Sequence, residues 1–130
     1  LKQCGAHVVQ PMGAFYIFPN FDDVEGIHVL KHHWSKRTGL DVSLYGGKEL
    51  MIDILSNTGV GGLAGEYFGR PKNELSMKYC YVDFDGPKLM KNIGDLPDNI
   101  FSPEMDAFLE QYCPDTLNGF RAVRDFINSL

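Results

Sequence analysis

The residues of this chain with chemistry to offer are four histidines, an acidic triplet, a block of aromatic rings and a glycine-rich loop. His32 and His33 sit beside Trp34, but adjacent side chains on a helix diverge by about 100°. A metal would need further ligands, and only His7 and His28 remain. Solvent-facing imidazoles are the expectation, with no metal site. Asp83 and Asp85 flank Phe84 as a conceivable cation site, yet Gly86 and Pro87 follow and favour a turn. In GAFYIFPNF, residues 13 to 21, five large apolar residues lie behind Gly13 around Pro19. Strand alternation sends one of Phe15 and Tyr16 inward and the other outward. Core packing is the commoner fate of either ring, and a ligand-facing wall is the alternative. The glycines of GGLAGEYFG, residues 61 to 69, permit close backbone approach to a ligand and equally an ordinary turn.

These residues need elements to position them. LKQCG reads as a last helical turn closed by Gly5, AHVVQ as a short strand ended by Pro11, and GAFYIFPN as a second extended run. Ile27, Leu30 and Trp34 recur at helical intervals. LYGGKELMIDILSNTG predicts a helix with Leu50, Met51, Ile54 and Leu55 on one stripe, Ser43 as a cap and Gly59 as its end. VGGLAG predicts a short strand, and LSMKYCYVDF a strong one with Lys78, Cys80 and Val82 on one face and Met77, Tyr79 and Tyr81 on the other. GPKLMKNIGDLPDNIF is irregular, with room for one helical turn. SPEMDAFLEQYC is a helix capped by Ser102 with Pro103 in its first turn, stopped at Pro114. A last amphipathic helix turns Leu117, Phe120, Val123 and Ile127 inward. The expected fold is α+β, a single domain over residues 1–130 with a small antiparallel or mixed sheet of three or four strands covered by helices on one face.

Composition narrows the function classes. Apolar residues make up 44% and charged residues 22%, a folded rather than disordered profile, and 130 residues suffice for one core without staples. The net charge of −5 and the shortness of the basic run KHHWSKR argue against a nucleic-acid partner. Three scattered cysteines give no disulfide framework and suit a reducing, cytoplasmic compartment. No apolar run approaches a membrane span, and no signal-peptide pattern opens the sequence.

The order LKQCGAHVVQPMGAFYIFPNF, then ILSNTGVGGLAGEYFGRP, then ELSMKYCYVDFDG resembles the C-terminal small domain of class I/II, fold-type-I aminotransferases, which use pyridoxal phosphate. The three motifs fall in register over residues 1 to about 86, and the closing helix fits too. A start at Leu1 rather than Met agrees with a piece of a longer chain. The resemblance implies that the cofactor-bearing large domain, with its Schiff-base lysine, lies outside these residues. It places no catalytic and no cofactor-binding residue here. It implies amino-group exchange between an amino acid and a 2-oxo acid, the large domain as an intramolecular partner, and a homodimer at full length.

In that family an arginine early in the late strand grips the substrate carboxylate, and the matching position here is Lys78, a departure. An ammonium neutralises a carboxylate but fixes its orientation less well than a guanidinium does. Arg70 in the preceding loop is the substitute anchor, and a guard charge on a sheet edge is the other reading of Lys78. The resemblance also implies that Gly13, Phe15 and Tyr16 approach the substrate as the domain closes. Ala64 stands where the family usually has proline. A different class of function, a stand-alone α+β module that binds a ligand or partner without catalysis, fits the same residues. Lyases and synthases share this small domain as well.

Overall fold

A computed structural model describes residues 1–130. Five helices, α1 (Ile27–Thr38), α2 (Gly47–Thr58), α3 (Gly86–Lys91), α4 (Pro103–Tyr112) and α5 (Pro114–Asn128), accompany three short strands. The strands β1 (Tyr16–Ile17), β2 (Leu63–Ala64) and β3 (Met77–Cys80) form one antiparallel sheet in the order β1-β3-β2. The α+β class and the small sheet follow the expectation. Tyr16 pairs with Cys80 and Ile17 with Tyr79, while Leu63 pairs with Lys78 and Ala64 with Met77.

The alternation of β3 divides the molecule. Met77 and Tyr79 are fully buried, Lys78 is half-buried and Cys80 is exposed, as the period of two requires. The inner face meets Leu50 and Ile54 of α2, Val123 and Ile127 of α5, and through them Ile27, Leu30 and Trp34 of α1, in one core of 15 buried residues. Each such large apolar side chain contributes roughly 1.5–3 kcal/mol by leaving water. The Tyr79 ring meets Phe120 edge-on at 5.8 Å. A smaller cluster of Met105, Phe108, Tyr112 and Cys113 packs with Phe84 and Leu89, where α4 meets the segment around α3.

Local chemistry sets the helix ends. Ser102 Oγ accepts from the Met105 N–H at 3.2 Å and Pro103 opens α4; Pro114, expected only as a stop, also opens α5. Asp85 caps α3 through the Lys88 N–H at 3.0 Å, so the DFDGP segment starts a helix where a simple turn was expected. Gly59 ends α2 with φ 74, as expected. Ser43 does not cap α2; its N–H donates to Asp41 at 2.9 Å in a separate turn. The residue before α2 is the buried Gly46, whose N–H donates to Glu49 Oε2 at 3.0 Å. Of the expected α2 stripe, Leu50 and Ile54 are buried, Met51 is half-buried and Leu55 is exposed.

Two extended runs shrink. AHVVQ is no strand: only His7 bridges Asn20, through N–H···O contacts of 2.8 and 2.9 Å. GAFYIFPN keeps just Tyr16 and Ile17, because Ala14 takes a left-handed φ of 67 and Pro19 lacks a donor for a longer ladder.

A polar network ties α1 to α2 inside the fold. The buried Tyr45 hydroxyl donates to Asp53 Oδ2 at 2.8 Å, and Arg37 reaches Asp53 Oδ1 at 3.5 Å. Burial, then the Asp53 hydrogen bond, pushes the Tyr45 hydroxyl far above its usual range, so it remains a donor. The Tyr45 ring meets Trp34 edge-on at 5.8 Å. Cys4, Cys80 and Cys113 are all unpaired thiols, and no helix is long and apolar enough to cross a membrane.

Candidate functional site

The outer face of the sheet carries the site. Because Met77 and Tyr79 point into the core, Lys78 and Cys80 point away from it, beside Leu63 and Tyr16 of the neighbouring strands. No helix covers the side chains here: Tyr16, Leu63 and Cys80 are all exposed. The Lys78 ammonium stands 3.8 Å from the centre of the Tyr16 ring and 4.7 Å from that of Phe68. Two ring faces therefore hold the cation by their quadrupoles. Lys78 makes no ion pair and no hydrogen bond, whereas Arg37, Arg70, Arg121 and Arg124 each pair with a carboxylate. Its N–H donors are left for an anion.

Beside the ammonium lies a cleft of about 280 Å³, lined by Tyr16, Gly61, Gly62, Leu63, Lys78 and Cys80. Gly62 is fixed by space: a Cβ there would sit 2.9 Å from Tyr79 Cε1 and 3.1 Å from Met77 Cε. The glycine-rich loop is thus pressed against β3, and its backbone forms the wall of the cleft. Such an arrangement can hold a carboxylate at Lys78 and an apolar group against the rings.

Arg70, the other expected anchor, is placed differently. Its Nε donates to Glu74 Oε1 at 2.8 Å and its Nη2 to Glu74 Oε2 at 2.6 Å, a two-point grip across one turn of loop. This pair lines a separate groove of about 770 Å³ with His7, Phe18, Asn20 and Asp22. Phe68 is common to both places, since its ring lines this groove, touches Lys78 and meets Phe18 edge-on at 5.9 Å. The Arg70 fork already holds a carboxylate.

The Arg70 contact holds the Glu74 carboxyl below its ordinary value, while burial pulls the other way. A carboxyl depressed in the folded state stabilises above its unfolded pKa, and that stability is lost as pH falls through the folded one. Glu74→Gln is therefore expected to flatten the acid limb of unfolding below the usual glutamate range, read by urea titration at steps from pH 6 to 3. An unchanged limb would remove Glu74 from the acid response.

The aromatic stretch is reassigned by the structure. Phe15 is 62% exposed and Tyr16 46% exposed, so neither ring packs in the core; Phe21 and half-buried Ile17 do that. Alternation fails to divide the two rings because Phe15 precedes β1 and follows the left-handed Ala14. Tyr81 secures this bend, its hydroxyl donating to the Ala14 carbonyl at 2.5 Å and its N–H to Phe15 O at 3.2 Å. Gly13 sits in open space, with no heavy atom of this chain within 4 Å of a notional Cβ. Of the expected site residues, Tyr16 and Lys78 meet; Phe15 and Gly13 lie at the approach to β1, and Arg70 belongs to the neighbouring groove.

Phe68 was not foreseen, and Gly62 only as one of the glycines of its loop. The signal for Phe68 was its place at the end of GEYF, the four-residue turn after β2, which sequence spacing alone could not aim at Lys78. His32 and His33 are exposed on α1, as expected, and His7 is engaged in the bridge to Asn20. Nowhere do three His, Cys, Asp or Glu side chains converge as a metal cage would require. Comparison of the chain with protein-family models, curated proteins and solved structures finds no match.

Proposed function

We propose that this chain is the substrate-closing small domain of a pyridoxal-phosphate-dependent aminotransferase. In that reading it presents Lys78 to the carboxylate of an amino acid or 2-oxo acid. One observation carries the proposal: at the position where the resembled family has its carboxylate-binding arginine stands an unpaired cation, held between two rings on a sheet face that no helix covers. A sheet with one bare face is the usual sign that a second layer, here the large domain, completes the structure.

Pyridoxal phosphate supplies the electron sink of such an exchange. The residues of this chain do not fit it. Arg70 is committed to Glu74, and at the start of α2 the Gly46 and Gly47 N–H groups donate to Glu49 and to the Lys72 carbonyl. No phosphate cradle remains there, and the cofactor is assigned to the large domain. Dimerisation at full length and a cytoplasmic setting belong to the same proposal.

The test uses borohydride. Treated with pyridoxal phosphate and then reductant, this chain is expected to show no stoichiometric adduct on any one lysine by mass spectrometry, whereas the longer protein is expected to show one. A single modified lysine within residues 1–130 would overturn the assignment.

A further inference from the structure

We propose that His28 and His32 of α1 form a two-point surface site for an imidazole-seeking divalent metal ion, nickel(II) or copper(II), separate from the Lys78 face.

The helix brings the two imidazoles together. Residues four apart in an α-helix lie about 40° apart around the axis and about 6 Å apart along it, so they share one face. α1 turns Ile27, Leu30 and Trp34 into the core, and that orientation leaves both His28 and His32 exposed. His33, next in sequence, is turned about 100° from His32 and stands outside the pair. The ion pairs of the chain are made by Arg37, Arg70, Arg121 and Arg124, so neither imidazole is tied to a carboxylate. Each neutral ring keeps a nitrogen lone pair to give.

Two nitrogens on one rigid face decide which ion binds. They fill two adjacent coordination positions, and water fills the others. That suits nickel(II) and copper(II), which accept tetragonal sets of nitrogen and oxygen, whereas structural zinc takes four protein ligands. Copper(II) binds the tighter of the two by the ordinary order of divalent affinities. The second imidazole already stands beside the ion once the first has bound, and this raises the affinity above that of a lone histidine. The surrounding charge is mixed. Asp23 and Glu25 share a cavity of about 680 Å³ with His28 and draw cations toward it. Lys31 and Lys36 of the same helix repel them, but an ammonium offers no lone pair and cannot take the ion's place as a ligand or hold it elsewhere.

The experiment is a calorimetric titration of nickel(II) alone into this chain and into His28→Asn, His32→Asn and His33→Asn. All three positions are exposed, so each variant is expected to keep the native circular dichroism. The expected result is one ion per chain, bound about tenfold or more weakly without His28 or without His32, each tenfold being about 1.4 kcal/mol, and unchanged without His33. Nickel(II) is also expected to raise the thermal unfolding midpoint of the native chain but not of the first two variants, because unfolding separates the pair. Magnesium, which prefers oxygen ligands, is expected not to compete. No binding to the native chain, unaltered binding without His28 or His32, or an equal loss without His33 overturns the site. Magnesium binding as tightly as nickel(II) overturns it too, by handing the ion to Asp23 and Glu25.

Discussion

Gly46→Ala is expected to cost at least about 3 kcal/mol of folding stability, above the ordinary range for overpacking. A Cβ at Gly46 would lie 2.0 Å from the Lys72 carbonyl oxygen and 3.1 Å from its carbon. Those are backbone atoms, so no rotamer change relieves the clash. The loop cannot simply retreat either, because the same Lys72 carbonyl accepts the Gly47 N–H at 3.4 Å and Glu74 anchors the loop through Arg70. With domain stability usually between 5 and 15 kcal/mol, a large share is removed. Gly59→Ala provides the scale: its φ is 74 but its Cβ would meet nothing within 4 Å. That change is expected to cost only about 1–2 kcal/mol, the left-handed penalty for an L-residue. Urea midpoints of the two variants measure the difference. If Gly59→Ala proves the more damaging, the packing of the 70–74 loop on α2 is not as described. Because that loop carries Arg70 and follows directly on the turn that ends at Phe68, a distorted Gly46→Ala protein is expected to lose the Lys78–Phe68 contact too.

Much of this fold was legible where periodicity and caps agree. Ser102 and Pro103 mark α4, Gly59 ends α2, and Val123 and Ile127 turn inward on α5, all from local chemistry. The two faces of β3 were legible for the same reason, since alternation is geometric and Met77 and Tyr79 had partners in the helical stripes. What escaped depends on long-range placement. The bend at Ala14 is held by Tyr81, 67 residues away, so nothing in GAFYIFPNF itself foretells where its strand begins. The Tyr45–Asp53 pair hides an aspartate on the apolar side of α2, where helical patterning leads one to expect solvent. The candidate site divides along the same line. Lys78 and Tyr16 were foreseen, but that they touch, that Phe68 joins them and that Glu74 claims Arg70 are facts of tertiary structure.

Lys78→Ala in the longer protein is expected to weaken amino-acid and 2-oxo-acid binding by roughly 10- to 150-fold, the value of a hydrogen bond to a charged group. Cofactor affinity is expected to move less than about twofold, since no residue of this face is assigned to hold pyridoxal phosphate. Lys78 also has a structural part, because its ammonium rests on the Tyr16 and Phe68 rings at 3.8 and 4.7 Å. Such contacts contribute about 0.5–1 kcal/mol at exposed sites, so a modest fall in unfolding midpoint accompanies the binding loss. Lys78→Met separates the two effects. It removes the charge but sets a thioether against the rings, so stability is expected to recover in part while carboxylate binding stays lost. Lys78→Arg is the decisive member of the series. A guanidinium stacks on aromatic faces and adds a planar fork for two parallel hydrogen bonds, so binding is expected to match or exceed that of the native lysine. Substrate dissociation constants, measured beside thermal unfolding for all three variants, test the set. Unchanged substrate binding in Lys78→Ala would remove Lys78 from the site. If substrate and cofactor affinity fell together in all three, Lys78 would instead be a purely structural support of the sheet face. The order Arg at or above Lys, with Met and Ala far below and cofactor affinity constant, is what a carboxylate anchor requires, and no sheet-edge guard charge produces it.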